Sequence, residues 1–229
     1  MSEPPLVVAI DGPAGVGKST VARLLARRLG IPYLDTGAMY RALALFLLDR
    51  GVDPDDRGAV AAVVDQARIE LRGGSGGRVE VLLDGRPVED RIRTAEVSAA
   101  TSRAAVHPEV RARMVVLQRQ LAESSGGVVE GRDIGTRVLP EAPFKFFLDA
   151  PAAVRARRRL ADLRAAGSEA GEDDVARALA ERDERDRERE LAPLVPAAGA
   201  IVVDTASDPP ERIVAAMLAR IGRAPQRKR

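Results

Sequence analysis

The chain has 229 residues, and its 36 Lys and Arg against 34 Asp and Glu give a formal net charge of only +2. It contains no Cys and a single His, which excludes disulfides, thiol nucleophiles and metal sites built from Cys or His. The small net charge, with four Phe, two Tyr and no Trp, gives little support to nucleic-acid binding. The length suits one large domain with small insertions.

A glycine-rich loop lies near the start of the chain, between an apolar run at 6–10 and an amphipathic stretch at 20–29. Its sequence is Gly12-Pro13-Ala14-Gly15-Val16-Gly17-Lys18-Ser19. This is the P-loop spacing in the context of a strand, a loop and a helix. Such a loop aims backbone N–H groups at phosphates, while Lys18 reaches the β- and γ-phosphates and the Ser19 hydroxyl can ligate Mg²⁺. The sequence therefore predicts a nucleoside-triphosphate site.

Further apolar runs and helical periods alternate along the rest of the chain. Five runs predict parallel strands, and they lie at 7–10, 31–34, 128–130, 144–148 and 200–203. Helices are predicted at 38–49, 54–67, 94–101, 108–123 and 211–221. The alternation predicts an α/β fold, an open five-stranded parallel sheet flanked by helices, with ligands at the carboxyl ends of the strands.

Two segments interrupt this alternation. Residues 36–102 include short strands at 69–71 and 78–83 and the hairpin signal Asp84-Gly85, which predicts a small antiparallel insertion. Residues 151–190 form a charged helical hairpin that turns near 167–171. The remaining core of a single domain is then 1–35, 103–150 and 191–229. The single His107 precedes Pro108 at a helix start, where we expect a surface or capping role.

The charged hairpin carries a stripe of Arg182, Arg185, Asp186 and Arg189 at helical spacing. A solvated pair of helices would explain these charges. A stripe that faces the cleft would instead hold phosphate with Arg and a sugar hydroxyl with Asp. Spacing alone leaves both interpretations open.

The P-loop is shared by GTPases, motors and small-molecule kinases. The chain has no Asn, which removes the Asn-Lys-x-Asp element that reads guanine, and only Val128-Val129-Glu130 approaches the acidic strand end of a motor. A kinase needs a second anion site for the acceptor, for which Arg41, Arg132 and the hairpin stripe are candidates, and mobile segments that close over both substrates.

Several further motifs follow in a fixed order. They are Ile10 to Thr20, Tyr33-Leu34-Asp35-Thr36-Gly37-Ala38-Met39-Tyr40-Arg41, Ile92-Arg93-Thr94, Glu130-Gly131-Arg132-Asp133-Ile134-Gly135-Thr136, Lys145-Phe146-Phe147-Leu148-Asp149-Ala150, and Glu181-Arg182-Asp183 through Leu191-Ala192-Pro193-Leu194. From about residue 7 to residue 221 the chain resembles the bacterial cytidylate kinases, a family of P-loop nucleoside-monophosphate kinases. The resemblance implies that ATP donates its γ-phosphoryl group to CMP or dCMP, with 36–102 as the nucleoside-monophosphate (NMP)-binding insertion and 151–190 as a lid.

The resemblance also implies site residues. In that family a Ser, an Arg and an Asp recognise cytosine, here Ser102, Arg111 and Asp133, although Ser98 and Thr101 lie close to Ser102. The residues expected to bind CMP are Thr36, Tyr40, Arg41, Ser102, Arg111, Arg132, Asp133, Arg182, Asp186 and Arg189. Those expected to bind ATP are Gly12, Pro13, Ala14, Gly15, Val16, Gly17, Lys18, Ser19 and Thr20, with Arg155, Arg158 and Arg159 from the lid.

Catalysis on this interpretation is alignment and charge neutralisation, for which the candidates are Lys18, Arg132, Arg158 and Arg189. Mg²⁺ is expected at Ser19, mostly through phosphates and water, and Glu130 and Asp35 either orient it or serve the strand ends structurally. The sequence has no membrane span or secretion signal, so we expect a cytoplasmic monomer that binds ATP and CMP or dCMP and no nucleic acid. The alternatives are a kinase for another nucleotide such as UMP, or a nucleotide-gated RNA-binding protein.

Overall fold

The computed structural model describes residues 5–73, 79–165, 167, 169–188 and 192–222. The strands are β1 (Val7–Asp11), β2 (Tyr33–Asp35), β3 (Ile69–Gly73), β4 (Val79–Leu83), β5 (Arg86–Pro87), β6 (Gly127–Glu130), β7 (Phe144–Asp149) and β8 (Ile201–Asp204). The helices are α1 (Lys18–Leu29), α2 (Thr36–Asp49), α3 (Arg57–Val63), α4 (Ala95–Ala104), α5 (Pro108–Ser125), α6 (Ala152–Ala165), α7 (Glu172–Glu188) and α8 (Pro210–Gly222).

The main sheet has five parallel strands, as the sequence predicts, and the structure gives their order as β2-β6-β1-β7-β8. Strand β1 is central in the sheet, and its residues Val8, Ala9 and Ile10 are fully buried. A strand that is covered on both faces needs apolar side chains at successive positions. Apolar residues of α1 and α8 pack on one face, and α5 and a π-helical turn at Ile134–Val138 pack on the other. Because the strands are parallel, β1, β2 and β6 all end at one edge of the sheet.

The predicted insertion at 36–102 contains the second sheet, which is antiparallel and has the order β3-β4-β5. It packs with α2 and α4 around a core that includes Phe46 and Ile92. The predicted strands at 69–71 and 78–83 are confirmed in outline. Residue 78 lies outside the described residues.

The predicted helix at 54–67 is shorter than the sequence suggests. Asp53 accepts a hydrogen bond from the Asp55 N–H (3.0 Å) and forms a turn, and Asp56 then caps the N-terminus of α3 by accepting from the Ala59 N–H (3.0 Å). The short polar side chain of an aspartate competes for backbone donors, which favours turns and caps over helix interior. The last residues of the segment form a 3₁₀ turn, Val64–Gln66.

His107 occupies the N-cap position of α5, as the sequence predicts, but the expectation of a surface side chain is wrong. The side chain is buried, makes no capping hydrogen bond, and places Nε2 2.8 Å from the Pro54 carbonyl oxygen. Because that contact spans 53 residues of sequence, the local pattern before Pro108 gives no sign of it.

Charged helices α6 and α7 form the predicted hairpin, which we call the lid. Its inner face is apolar: Leu160, Val175 and Leu179 pack together and against Ala14 of the P-loop. The base of the lid therefore rests directly on the loop that is expected to bind phosphate. No helix in the described ranges is long and apolar enough to cross a membrane.

Candidate active site

The P-loop requires glycine at two positions for reasons that lie within the protein. Gly12 has φ 149°, and a Cβ atom there would lie 2.2 Å from the carbonyl oxygen of Leu148 in β7. Gly15 has φ 73°, and its Cβ would lie 2.9 Å from the carbonyl oxygen of Arg155 in the lid. These close approaches hold the loop against both the sheet and the lid.

Helix α1 begins directly after the loop, and no side chain caps its N-terminus. Its first N–H groups therefore point toward the loop, the arrangement that favours a bound anion. Lys18 is buried and donates to the Pro13 carbonyl oxygen over 2.7 Å. Burial, and then the positive charge of Arg132, lower the pKa of Lys18 well below its usual value. A polyphosphate at this position would offset both effects.

The carboxylate of Glu130 ends β6 beside Ser19. It accepts a hydrogen bond from the Tyr33 hydroxyl, and the Ser19 side chain also hydrogen-bonds to it. Burial, and then the charge of Asp35, raise the pKa of Glu130, whereas Lys18 opposes that shift. Burial and the adjacent Glu130 likewise raise the pKa of Tyr33, so its hydroxyl remains a donor. Tyr33 is part of one of the sequence motifs, but the sequence predicts no role for it.

Asp35 serves the local structure of the strand end. One of its oxygens caps α2 by accepting from the Ala38 N–H (2.8 Å), and the other pairs with Arg41 (3.2 Å). The two strand-end carboxylates therefore differ in their surroundings. Glu130 faces Ser19, whereas both oxygens of Asp35 have protein partners.

The expected cytosine-binding residues Arg111 and Asp133 are brought together. Arg111 Nη2 donates to Asp133 Oδ2, and both side chains are buried on the wall of the cleft. Ser102 lines the same cleft and accepts from Arg185 Nε at 3.2 Å. Of the alternatives, Ser98 donates to the Thr94 carbonyl and Thr101 to the Val97 carbonyl, so both hydroxyls are used within α4.

Arg132 connects the lid with the P-loop at the wall of the cleft. Its Nε donates to Asp186 Oδ2 of the lid (2.9 Å), and its Nη1 donates to the Gly12 carbonyl oxygen (3.1 Å). Thr36 donates to the Glu130 carbonyl oxygen at 2.6 Å. The cleft is also lined by the predicted residues Tyr40, Arg41 and Arg182. Arg189 lies outside the described residues.

The three lid arginines differ in position. Arg158 lines the cleft and donates to the Val16 carbonyl (3.3 Å) and the Thr205 carbonyl (2.6 Å), and Arg159 also lines it. Arg155, expected to contact ATP, instead lies buried behind the P-loop. It pairs with Asp183 at 2.6 Å and donates to the carbonyl oxygens of Ala14 and Ala150. Helical spacing cannot separate these roles, because one turn of α6 faces both the cleft and the lid interior.

Asp11 is a buried residue of this region that has no role in the sequence prediction. It ends β1, and its two oxygens accept from the N–H groups of Ile134 and Gly135, each at 2.8 Å. Burial raises its pKa to about 6, against the lowering effect of these two hydrogen bonds. Its place between an apolar strand and the P-loop is the signal that could have indicated a buried function.

One cleft of about 710 Å³, a size typical of small-ligand sites, is lined by residues 14–19 of the P-loop, by the Arg111–Asp133 pair, and by Arg158 and Arg159 of the lid. A parallel α/β sheet with a P-loop and a second cationic wall in the same cleft defines a P-loop kinase. A family model described as cytidylate kinase matches residues 8–223. The chain therefore belongs to the cytidylate kinase family.

Individual relatives agree with this assignment. A cytidylate kinase of Pelotomaculum thermopropionicum is 47% identical over 214 residues, covering 93% of this chain and 95% of that protein. A cytidylate kinase of Symbiobacterium thermophilum is 46% identical over 213 residues, covering 93% and 94%. A crystal structure of an uncharacterized protein from Eubacterium ventriosum shares the fold at 13% identity, with a TM-score of 0.51 over 96% of this chain and 99% of that one.

Proposed function

We propose that this kinase transfers the γ-phosphoryl group of ATP to CMP or dCMP, and releases ADP together with CDP or dCDP. The observation that carries the proposal is the buried Arg111–Asp133 pair on the wall of the cleft that the P-loop also lines. A carboxylate accepts from the exocyclic amino group of cytosine, and a guanidinium donates to its ring carbonyl. Uracil offers a carbonyl oxygen instead of the amino group, so the same carboxylate would repel it.

The acceptor phosphate would lie among the cationic side chains of this wall. Arg41 supports this placement, because its Nε is buried and has no hydrogen-bond partner within the described residues. A buried donor without a partner costs about 1–3 kcal/mol, and a phosphate oxygen would remove that cost. Arg132 and Arg182 line the same cleft and add positive charge.

The transfer needs no strong base, since the acceptor phosphate is already ionised near neutral pH. One of its oxygens attacks the γ-phosphorus, the bond to the bridging oxygen of ADP breaks, and ADP leaves with that electron pair. Lys18 and the N–H groups at the start of α1 would neutralise the donor phosphates. Arg132 touches both the P-loop and the lid, which places it to stabilise the charge on the group in transfer.

The residues beside the P-loop fit a bound Mg²⁺. Ser19 and Glu130 supply a hydroxyl and a carboxylate, the oxygen donors that this ion prefers alongside substrate phosphates. When bound, the ion would neutralise charge on the β- and γ-phosphates. The Tyr33 hydroxyl donates to Glu130 and would keep this carboxylate in place beside Ser19.

We also propose that residues 36–102 bind the acceptor, that 151–190 close over the donor, and that the protein acts in the cytoplasm as a monomer. Size-exclusion chromatography with light scattering tests the oligomeric state.

The test of function is a coupled assay of ADP release with ATP and Mg²⁺, in which CMP, dCMP, UMP, AMP and GMP are offered separately. We expect the strongest turnover with the two cytidine nucleotides. The matched variant is Asp133→Asn, which keeps the size and replaces one acceptor by an amide donor, so the preference for CMP over UMP should shrink. Absence of acceptor-stimulated turnover with all five nucleotides would contradict the proposal.

A further inference from the structure

Asp11 joins the two substrate-binding loops. It is the last residue of β1, its side chain is 3% exposed, and the next residue, Gly12, begins the P-loop. The loop that follows β6 carries Arg132 and Asp133 of the acceptor side, and we call residues 131–135 the acceptor loop. Asp11 therefore lies where the donor loop and the acceptor loop meet.

The contacts between Asp11 and the acceptor loop use both carboxylate oxygens. Oδ1 accepts from the Ile134 N–H and Oδ2 from the Gly135 N–H, each at 2.8 Å. Two consecutive backbone donors require two acceptors in one plane, which a carboxylate supplies and an amide or a single hydroxyl does not. The side chain thus fixes both the position and the orientation of this backbone.

The main-chain carbonyls on either side of Asp11 also contact the acceptor loop. The Gly131 N–H donates to the Ile10 carbonyl oxygen at 2.9 Å, and Arg132 Nη1 donates to the Gly12 carbonyl oxygen at 3.1 Å. Three consecutive residues, 10–12, therefore contact the acceptor loop before and after Asp133. A substitution of Asp11 is therefore expected to shift the backbone that carries the side chains of Arg132 and Asp133.

The burial of a carboxylate at this position opposes its ionised form, as its raised pKa indicates. A neutral side chain would fill the same space without that penalty. The two hydrogen bonds from backbone amides offset this penalty, because charge-assisted hydrogen bonds are shorter and stronger than neutral ones.

We propose that Asp11 is a positioning residue for the acceptor: it holds the acceptor loop in register with the P-loop, so that Asp133 and Arg132 meet the acceptor base and phosphate in the geometry that transfer requires. This inference rests on the proposed function. A misplacement of about 1 Å at such a site can lower turnover about a hundredfold.

The test is Asp11→Asn in the full-length protein. Asn keeps the size but directs its amino group at one of the two N–H groups, so that one hydrogen bond becomes a repulsion. We expect KM for CMP to rise and the ratio of kcat/KM for CMP to that for UMP to fall, each by about tenfold. We expect the dissociation constant of ATP, measured by calorimetry, to change by less than about threefold.

The ratio of the two kcat/KM values separates positioning from a purely structural role, because it does not depend on the fraction of folded enzyme. The matched control is Asp149→Asn, an exposed aspartate at the end of the neighbouring strand β7 whose side chain accepts from the N–H of the next residue, Ala150, at 2.9 Å. It should leave the ratio unchanged. Should Asp11→Asn fail to fold, Asp11→Ser provides the second variant, since its hydroxyl accepts from one amide without opposing the other.

Two failures can be distinguished. If the wild-type protein shows no turnover with CMP, the proposed function fails before any variant is examined. If the wild type is active and Asp11→Asn keeps its KM for CMP and its CMP-to-UMP ratio, or loses ATP affinity as strongly as CMP affinity, the positioning role is overturned.

Discussion

Helix α7 carries two aspartates three residues apart, and each pairs with an arginine from another part of the chain. Asp183 pairs with Arg155 at 2.6 Å, and both side chains are 5% exposed. Asp186 pairs with Arg132 at 2.9 Å, and here the arginine is 19% exposed on the wall of the cleft. The two pairs use the same chemistry, and each arginine also donates to a P-loop carbonyl, Arg132 to that of Gly12 and Arg155 to that of Ala14.

The role of each Arg–Asp pair depends on the groups that surround it. Arg155 also donates from Nη1 to a P-loop carbonyl and from Nε to the carbonyl of residue 150, so the pair anchors the base of the lid. Arg132 lines the cleft together with Arg41 and Arg182, where on the proposed function a substrate phosphate would replace the protein carboxylate as its partner. The first pair is expected to determine stability and the second to determine turnover.

The largest effect is expected from Asp183→Asn. Removal of one partner leaves the buried guanidinium of Arg155 without its counter-charge, which costs about 3–5 kcal/mol of unfolding free energy. Asp186→Asn is the matched variant on the same helix. The Asp186 carboxylate is also buried, but its partner Arg132 is 19% exposed and keeps access to water, so this variant should cost less than Asp183→Asn while it lowers kcat/KM for CMP. Urea denaturation and the coupled assay measure the two quantities.

A double variant sharpens this contrast. Asp183 Oδ1 is buried without a hydrogen-bond partner among the residues that the structure describes, so the pair is incompletely satisfied. Replacement of both partners by apolar residues, Arg155→Met with Asp183→Leu, should therefore recover most of the stability. If Asp183→Asn and Asp186→Asn destabilise the protein equally, the proposed division between the two pairs is wrong.

Arg132→Ala is expected to have the next largest effect. We expect kcat to fall at least about a hundredfold, because a group that stabilises charge in the transition state is lost. ATP affinity should stay within about threefold, since Lys18 and the loop amides remain. Loss of ATP affinity with normal turnover, measured by calorimetry and by the coupled assay, would remove Arg132 from the transfer step.

The smallest effect is expected from a third ion pair on α7. Arg177 and Asp174 pair on the outer face of the lid, where their side chains are 68% and 67% exposed. Solvent screens such pairs, so Arg177→Ala should change the unfolding free energy by less than about 0.5 kcal/mol and leave kcat unchanged. A larger loss in the same denaturation experiment would show that burial does not rank the three pairs.

The main sheet and most helices were predictable from the sequence because their signals are local. Buried parallel strands are short apolar runs, and the end of α1 is marked by Gly30 with positive φ. The acceptor pair Arg111 and Asp133 was assigned through the resemblance, and the structure brings the two together 22 residues apart in sequence.

What the sequence could not supply are contacts across long separations. The π-helical turn at Ile134–Val138 depends on Asp11, more than 120 residues away, and has no periodic signal of its own. Arg155 and Arg158 are neighbours on one charged helix, and only the packing of α7 shows that the first is buried. His107 is hidden for the same reason, because its partner is the carbonyl of Pro54.

The two tight glycines of the P-loop have a consequence for the evolutionary history of this chain. A side chain at position 12 would collide with the backbone of β7, and one at position 15 with the backbone of the lid. These positions would therefore stay glycine in lineages that had lost catalysis but kept the fold. Invariance of the motif among descendants of this protein would by itself say nothing about whether they still use nucleotide.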